Sequence, residues 1–479
     1  MGEQKRLTYF NEAVILLCSF VGIMCLGAIV WKIPTGMSVL LCGIVAATYG
    51  MMILKFTWDE IQESILNLIK IGMPAILILL MVGLITASWL ASGTTPIIIY
   101  WGLKLLTPSV FLVTAFLLTS AASMATGSSW AIVGTFGVAL LGVAQGLGVP
   151  TGIAAGAIVA GSFLGDKWSP LSDSSNLAAA VTGTDIIKLV TSMIPTSGVA
   201  AVAAAVLYGV IGFFFQSSSN ADVSSLNPIM TALETTYNLN IILLLPPVVV
   251  VYLAFKKKPI LPVLSIGVLL GAVLAVVMQG VPVGKMLAIL YNGNAMSTGM
   301  KSIDKLLSGG GLSAMMSLVL ILLCAFIFAG VVERIGVLEV LVDKLKSITA
   351  SPGPLVLTSL ITSQLTVYLS SSVYVGMILN GRMYAPAYEK AGLKKVNLSR
   401  SVLEMCCYSG AYVPWSGGCL VVLGALGVQW YEYMPYIFSH WIAVILVVVY
   451  AYLGIFTEKI VANNGSEVID ANVETSQVI

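Results

Sequence analysis

The chain has 479 residues, 58% of them hydrophobic and 9% charged, with a net charge of +2 and a mean hydropathy of +1.00. Roughly a quarter of the residues in a soluble domain are charged, so this composition excludes a soluble globular protein. The near-balanced charge offers nucleic acid no basic surface. What remains is an all-α polytopic membrane protein partnered by the lipid bilayer, because many apolar runs reach the ~20 residues that a spanning helix needs.

Residues 1–11 read as a cytoplasmic N-terminus, with Lys5 and Arg6 as the basic flank. The apolar run Ala13–Trp31 is too long for the apolar core of a cleaved signal peptide and reads as a retained first helix. Arg6 also spoils a myristoylation signal, which wants Ser or Thr there. Met37–Leu54 returns, "KFTWDEIQES" lies inside, and Met73–Ala91 leads out. Two short apolar stretches then meet at "MATGSSW", as the limbs of a re-entrant hairpin would. The uncharged "GVAQGLGVPT" falls outside, and "GDKWSPLSDSSN" places charges and a proline between apolar runs, which predicts an interrupted helix. A first transmembrane repeat over residues 12–215 ends at a polar extracytoplasmic linker, 216–238.

A second repeat, 239–456, opens with Ile241–Phe255, and Lys256–Lys258 mark a cytoplasmic loop. Val281–Gly311 reads as an insertion with a Gly-rich loop. "VVERIGVLEVLVDKLKS" reads as an interfacial amphipathic helix with a solvated face of Glu333, Arg334, Asp343, Lys344 and Lys346. Arg382, Lys390, Lys394 and Lys395 place the loop after "YLSSSVY" inside. His440 reads as an interfacial residue of the last helix, and residues 457–479 as a disordered cytoplasmic tail. Cys18, Cys25, Cys42, Cys324, Cys406, Cys407 and Cys419 lie in apolar stretches without metal spacing and read as packing residues.

The halves echo each other. Ser128 and Ser372, Pro170 and Pro414, and Ser172 and Ser416 are each 244 residues apart, and Gly93 and Gly336 are 243 apart. The loops after the serine clusters fall on opposite faces by the charge count. The fold expected is therefore two inverted-topology repeats, each with a re-entrant helical hairpin and an interrupted transmembrane helix.

Three charges at one break, Asp166, Lys167 and Asp173, demand a purpose, because each costs at least ~2.5 kcal/mol at the bilayer centre. Ser169, Ser172, Ser174, Ser175 and Asn176 surround them with hard oxygens suited to a small cation or a proton relay. The plainer reading is a brace, with Lys167 neutralising one aspartate. Ser128 and Ser129, with counterparts Ser370, Ser371 and Ser372, either face a substrate across the repeat interface or pack helices, and Ser416, the counterpart of Ser172, joins them as a substrate-binding candidate. Arg400 and Glu404 share a helix face, so Glu404 is either a proton site or the partner of Arg400 in a structural ion pair. No zinc, Walker or dinucleotide motif is present, no nucleophile–base pair is evident, and neither an enzyme nor a cofactor is implied.

"GDKWSPLSDSSNLAAAVTGTD" resembles the signature of the NhaC family of Na⁺/H⁺ antiporters, with Ser174 and Ser175 in place of two threonines. The resemblance implies Na⁺/H⁺ exchange by alternating access in the cell membrane, with Asp166, Asp173 and Glu404 binding ions or protons and Na⁺ held at Asp173 with Ser172 and Asn176. It also implies the alternative of a Na⁺- or H⁺-coupled antiporter of a small organic acid or amino acid, of the malate–lactate type. The chain departs from the family pattern at Leu403–Glu404, where a Glu-Asp pair is usual, and at Ser416, where an Asn follows Pro-Trp. Oligomeric state stays open, a homodimer included.

Overall fold

The computed structural model describes residues 6–218, 227–256, 258–297, 304, 307–347 and 351–460. Among these the chain is helical, with isolated bridges at Asn294–Gly309 and Leu393–Lys459 and no strands. The first half runs α1 (Phe10–Cys25), α2 (Thr35–Met52), α3 (Trp58–Ser92), α4 (Thr94–Leu105), α5 (Pro108–Thr126), α6 (Ser129–Ile132), α7 (Val138–Gly146), α8 (Thr151–Trp168), α9 (Asp173–Thr182), α10 (Ile186–Ser192) and α11 (Val199–Ser218). A π-helical stretch, Val133–Gly137, joins α6 to α7. The second half runs α12 (Asn227–Thr236), α13 (Leu245–Phe255), α14 (Ile260–Gln279), α15 (Val283–Asn292), α16 (Leu312–Arg334), α17 (Val337–Ser347), α18 (Pro352–Ser370), α19 (Val373–Lys390), α20 (Lys395–Tyr412), α21 (Gly417–Leu426), α22 (Trp430–Tyr433) and α23 (Phe438–Leu453).

Seven of the described helices are long and apolar enough to span a membrane, or up to ten if each bent pair is one span. The limbs at "MATGSSW" are not short: Pro108–Thr126 has 19 residues and Ser129–Gly146 has 18, and both count among the seven. The ends of α5, α7, α8 and α9 recur 244 residues later as the ends of α18, α19, α20 and α21. Local chemistry explains the recurrence. Pro108 and Pro352 open α5 and α18, where a missing N–H does no harm. Each helix stops at a left-handed residue, Gly127 (φ 69°) or Ser371 (φ 60°). The next residue, Ser128 or Ser372, caps the following helix by accepting from the N–H of Ala131 or Val375.

Burial separates core from periphery. Every residue of Ile153–Lys167 in α8 and of Val396–Tyr412 in α20 is buried, whereas α5, α11 and α14 expose apolar residues such as Leu117, Val202 and Leu269. The second limb of each broken helix packs on the other half: α9 against α19 and α20, α21 against Val133–Gly137 and α3.

Loops are tied locally: Thr8 bonds Ile335 (3.2 Å), Arg334 pairs with Glu60 (2.8 Å), and Glu458 pairs with Lys394 (3.3 Å) and Lys188 (3.6 Å). Elsewhere, Tyr100 bonds Glu234 (2.8 Å), Gln279 bonds the Ser92 carbonyl (2.9 Å), and Gly152 lies against the Glu432 carbonyl.

Several expectations change. "KFTWDEIQES" is mostly helix, because Thr57 and Glu60 form a capping box that starts α3. The linker contains α12, and its residues 219–226 lie outside the described residues. The insertion carries α15 and a backbone bridge, Asn294–Gly309. Residues 457–460 are pinned by backbone bonds, Lys394 N–H to Glu458 O (3.0 Å) and Ile460 N–H to Gly392 O (2.8 Å), and by the Asn397 side chain, and 461–479 lie outside the described residues, as do Lys5 and Lys257. In α17, Val337, Leu338, Leu341 and Val342 are buried and Asp343 and Lys344 exposed, as an amphipathic helix requires; the side chain of Lys346 lies outside the described set. All seven cysteines are free thiols.

Candidate functional site

Helix α8 ends at Trp168 because Pro170 has no N–H to continue it. The chain then turns through Ser169–Leu171 and restarts at Asp173, the first residue of α9, where free backbone N–H groups favour a carboxylate. The break is tied down by side chains. Leu171 N–H donates to Ser169 Oγ (3.2 Å), Asn176 Nδ2 donates to the carbonyls of Pro170 and Ser172 (both 2.8 Å), and Ser175 Oγ donates to the Lys167 carbonyl (3.0 Å). Carbonyls freed by the break thus find partners within it.

The tip of the first hairpin rests on this break. A Cβ on Gly127 would lie 2.7 Å from the Leu171 carbonyl carbon, so only glycine allows the approach. Between tip and break lies a cavity of about 440 Å³. Its polar lining is Thr126, Ser128, Ser129, Asp166, Ser172, Asp173, Ser174 and Asn176; Ile78, Trp130, Phe163, Val373, Tyr374 and Cys407 supply much of the rest, and Lys258 lies on it too. Asp166 is 8% exposed and accepts from Ser129 Oγ at 2.7 Å. Asp173 is exposed. One sheltered and one open carboxylate therefore share a single cavity.

Of the residues singled out from sequence, Ser128, Ser129, Asp166, Ser172, Asp173, Ser174 and Asn176 come together here. The others do not line the cavity. Ser169 is buried and caps the break. Ser372 and Ser416 cap α19 and α21, Ser416 Oγ also donating to the Gly410 carbonyl (2.7 Å). Ser371 is buried, with no partner for its hydroxyl.

Two ion-pair expectations are overturned. Lys167 pairs with neither aspartate: its Nζ bonds Glu404 Oε1 across the halves, both side chains being 0% exposed. Neighbours on a helix point about 100° apart, so Asp166 turns to the cavity while Lys167 turns to α20. The Lys167 ammonium also lies 4.4 Å from the centre of the Tyr408 ring, and Glu404 Oε2 accepts from Ser197 Oγ (3.2 Å). Arg400 accordingly does not pair with Glu404. Its guanidinium donates to the carbonyls of Ser192 (3.0 Å) and Phe456 (3.1 Å). His440 is not interfacial either: it is fully buried between Tyr408, Tyr412 and Trp441.

Sequence reasoning missed Tyr374, Cys407, Trp130 and Lys258 in the cavity and Ser197 beside Glu404. Lys258 served only to orient a loop, and the others sit in apolar runs with no distinguishing spacing.

Residues 161–455, more than half of the chain, match the model of the Na⁺/H⁺ antiporter family. The chain belongs to that family. The matched stretch takes in the α8–α9 break of the first half and the second half from α12 to α23. The malate-2H⁺/Na⁺-lactate antiporter of Bacillus subtilis is 33% identical over 454 residues, covering 95% of this chain and 97% of that one. The Na⁺/H⁺ antiporter NhaC of Alkalihalophilus pseudofirmus is 32% identical over 458 residues, covering 95% and 98%. The arginine/ornithine antiporter ArcD of Halobacterium salinarum is 33% identical over 457 residues, covering 94% and 93%. All three are antiporters by name, so the resemblance carried by "GDKWSPLSDSSN" extends along nearly the whole chain.

Proposed function

We infer that this family member exchanges Na⁺ for H⁺ across the cytoplasmic membrane by alternating access, with the cavity at the α8–α9 break as its ion site. The observation that carries this reading is the placement of Asp166 and Asp173 in one hydroxyl-lined cavity. A carboxylate that holds either Na⁺ or H⁺, but not both, couples the two flows through competition. Na⁺ sits at Asp173 with Ser172 and Asn176; the Asn176 amide N–H groups are spent on the break, which leaves its oxygen for the cation. Asp166, with its Ser129 bond, is the more sheltered proton site. Glu404 serves as the counter-charge of Lys167.

The 12–215 and 239–456 repeats have inverted topology in this reading. In support, the loop after α19 belongs with Glu458, through Lys394 (3.3 Å), whereas the start of α8, after the equivalent loop, lies against Glu432. In this reading the hairpins are re-entrant: the limbs of the first are each long enough to span, and support comes from its tip, where Gly127 meets the broken helix at Leu171. In this reading the loops carrying Lys394, Lys395 and Lys258 are cytoplasmic, as their positive charge supports, and both termini and the cavity mouth lie on that side.

Vesicles carrying the protein and an imposed pH gradient should lose the gradient on addition of Na⁺. Asp173→Asn and Asp166→Asn should each abolish the response. Wild-type vesicles silent to Na⁺ across a broad pH range would defeat the reading, and undiminished exchange in both variants would remove the site.

Cavity size favours a second reading. Na⁺ and a few waters, at about 30 Å³ each, fill only part of the 440 Å³, and Trp130, Phe163 and Tyr374 offer an organic body its contacts. Coupled exchange of a small organic acid or amino acid would show as counterflow: labelled solute leaves preloaded vesicles only when an external partner is supplied.

A further inference from the structure

The cavity at the α8–α9 break is charged in one direction. Asp166 and Asp173 both line it, whereas Lys167, between them in sequence, is turned away and paired with Glu404. Among the described residues its lining holds one basic side chain, Lys258, which is exposed. We propose, on the reading that this cavity is the transport site, that its organic cargo is a small cation: a protonated amine on a short aliphatic chain, held by the two aspartates.

Charge separates the candidate solutes. An organic acid brings a further carboxylate to the two already there, and low-dielectric walls strengthen that repulsion. It enters only with protons to neutralise it. An ammonium needs none, because all its groups are donors and the lining is rich in acceptors. Ser128, Ser129, Ser172 and Ser174 add hydroxyl oxygens to those of the carboxylates. The cavity of about 440 Å³ also lies within the roughly 300–1,000 Å³ usual for small-molecule sites.

The aromatic part of the lining suits the same cargo. Trp130, Phe163 and Tyr374 share the cavity with the carboxylates, and ring faces attract ammonium and guanidinium groups. The second break makes room for Trp130. A Cβ on Gly417 would lie 3.4 Å from the Trp130 ring, and one on Gly418 would lie 3.1 Å from its indole nitrogen. Gly417 stands 244 positions after Asp173, so where the first break carries a carboxylate the second leaves space for a ring. Tyr374 comes from the second-half hairpin and is close enough for the charges of both aspartates to act on its hydroxyl. A cation between them therefore touches both halves.

Matched probes test the charge. Diaminobutane and succinate share a chain length and carry opposite charges; lysine and norleucine differ by the terminal amine. Vesicles carrying the protein are preloaded with labelled lysine in one batch and labelled diaminobutane in another. External lysine or diaminobutane should release label, and norleucine or succinate should not. Release from the lysine batch alone supports an amine cargo of the amino-acid kind, with its carboxylate toward Lys258, and release from the diaminobutane batch supports a diamine. Trp130→Leu should raise the half-saturating amine concentration about fivefold, and Trp130→Phe much less, as a ring face under a cation requires. Release by succinate or norleucine as readily as by lysine would overturn the amine cargo. So would silence to both amines in vesicles whose pH gradient still responds to Na⁺, and that result would leave the ion site standing. Wild-type vesicles silent to Na⁺ as well as to both amines would remove the site itself, and this cargo with it.

Discussion

The limbs of the second hairpin are joined by side-chain hydrogen bonds at three levels: Ser359 with Tyr388 (2.8 Å), Thr362 with Tyr384 (3.1 Å), and Asn380 with Thr366 (3.1 Å). The residues 244 positions earlier, on α5 and the helix from Ser129, are Ala115, Leu118, Ala122, Phe136, Leu140 and Ala144. The same inversion of chemistry marks the breaks. Asp166 and Asp173 of the first stand where the second has Gly410 and Gly417. The boundaries of these helices thus match while their chemistry differs. The first half holds the two aspartates and most of the cavity lining; the second holds a hydrogen-bonded hairpin and the carboxylate that neutralises Lys167.

The heaviest blow to this division is to separate its halves electrically. Glu404→Ala or Lys167→Ala leaves a lone charge buried between α8 and α20, at about 3–5 kcal/mol. Each should unfold far below wild type in a thermal scan, while Lys167→Met with Glu404→Met should recover most of the loss, since a buried pair replaced by apolar groups is often near neutral. Failure of the double variant to recover would mean that the pair does more than balance charge.

Next in size is a swap of tips. Gly127→Ser gives the first tip the second tip's left-handed serine, and the new Cβ would lie within 3 Å of Leu171 C, Leu171 O and Ser172 N. Left-handed strain and overpacking together suggest roughly 2–4 kcal/mol, with loss of Na⁺-driven exchange as the tip is levered off the break. Exchange at the wild-type rate would show that the tip need not touch the break.

How much of this was legible in the sequence follows from what a one-dimensional pattern can carry. Breakers and caps act locally, so Pro170, Ser128 and their partners 244 residues on announced the helix ends without any tertiary knowledge. Charges in an apolar run announced the cavity for the same reason. Partner choice is not local. Periodicity put Glu404 on the same helix face as Arg400, but Lys167 lies 237 residues away in sequence, and only the packing of α8 on α20 joins them. Second-half serines looked like substrate ligands because a capping hydroxyl and a liganding hydroxyl have the same letter. His440 carried no pattern at all, and its burial depends on aromatic neighbours from α20 and α23.

The hydrogen-bonded hairpin predicts a smaller effect. Interhelical hydrogen bonds in membranes contribute about 0.6 kcal/mol each on average, so Tyr384→Phe should speed amide exchange in α18 and α19 several-fold and leave α5 unchanged. Equal changes in both hairpins would dissolve the contrast.

The reverse tip swap, Ser371→Gly, is the smallest change and acts in the opposite direction. Ser371 holds φ 60° without being glycine, a conformation that disfavours most residues by about 1–2 kcal/mol. Its hydroxyl is buried without a partner, a further liability. Against these stands the greater freedom of glycine in the unfolded chain, about 0.5–1 kcal/mol. The balance is a net stabilisation near ~1 kcal/mol, visible as a modest upward shift in a thermal scan with transport unaltered. A downward shift would mean that the hydroxyl finds a partner in the working cycle. The second tip would then share in ligand contact, as its serines first suggested, and the two halves would be less divided in chemistry than their hairpins imply.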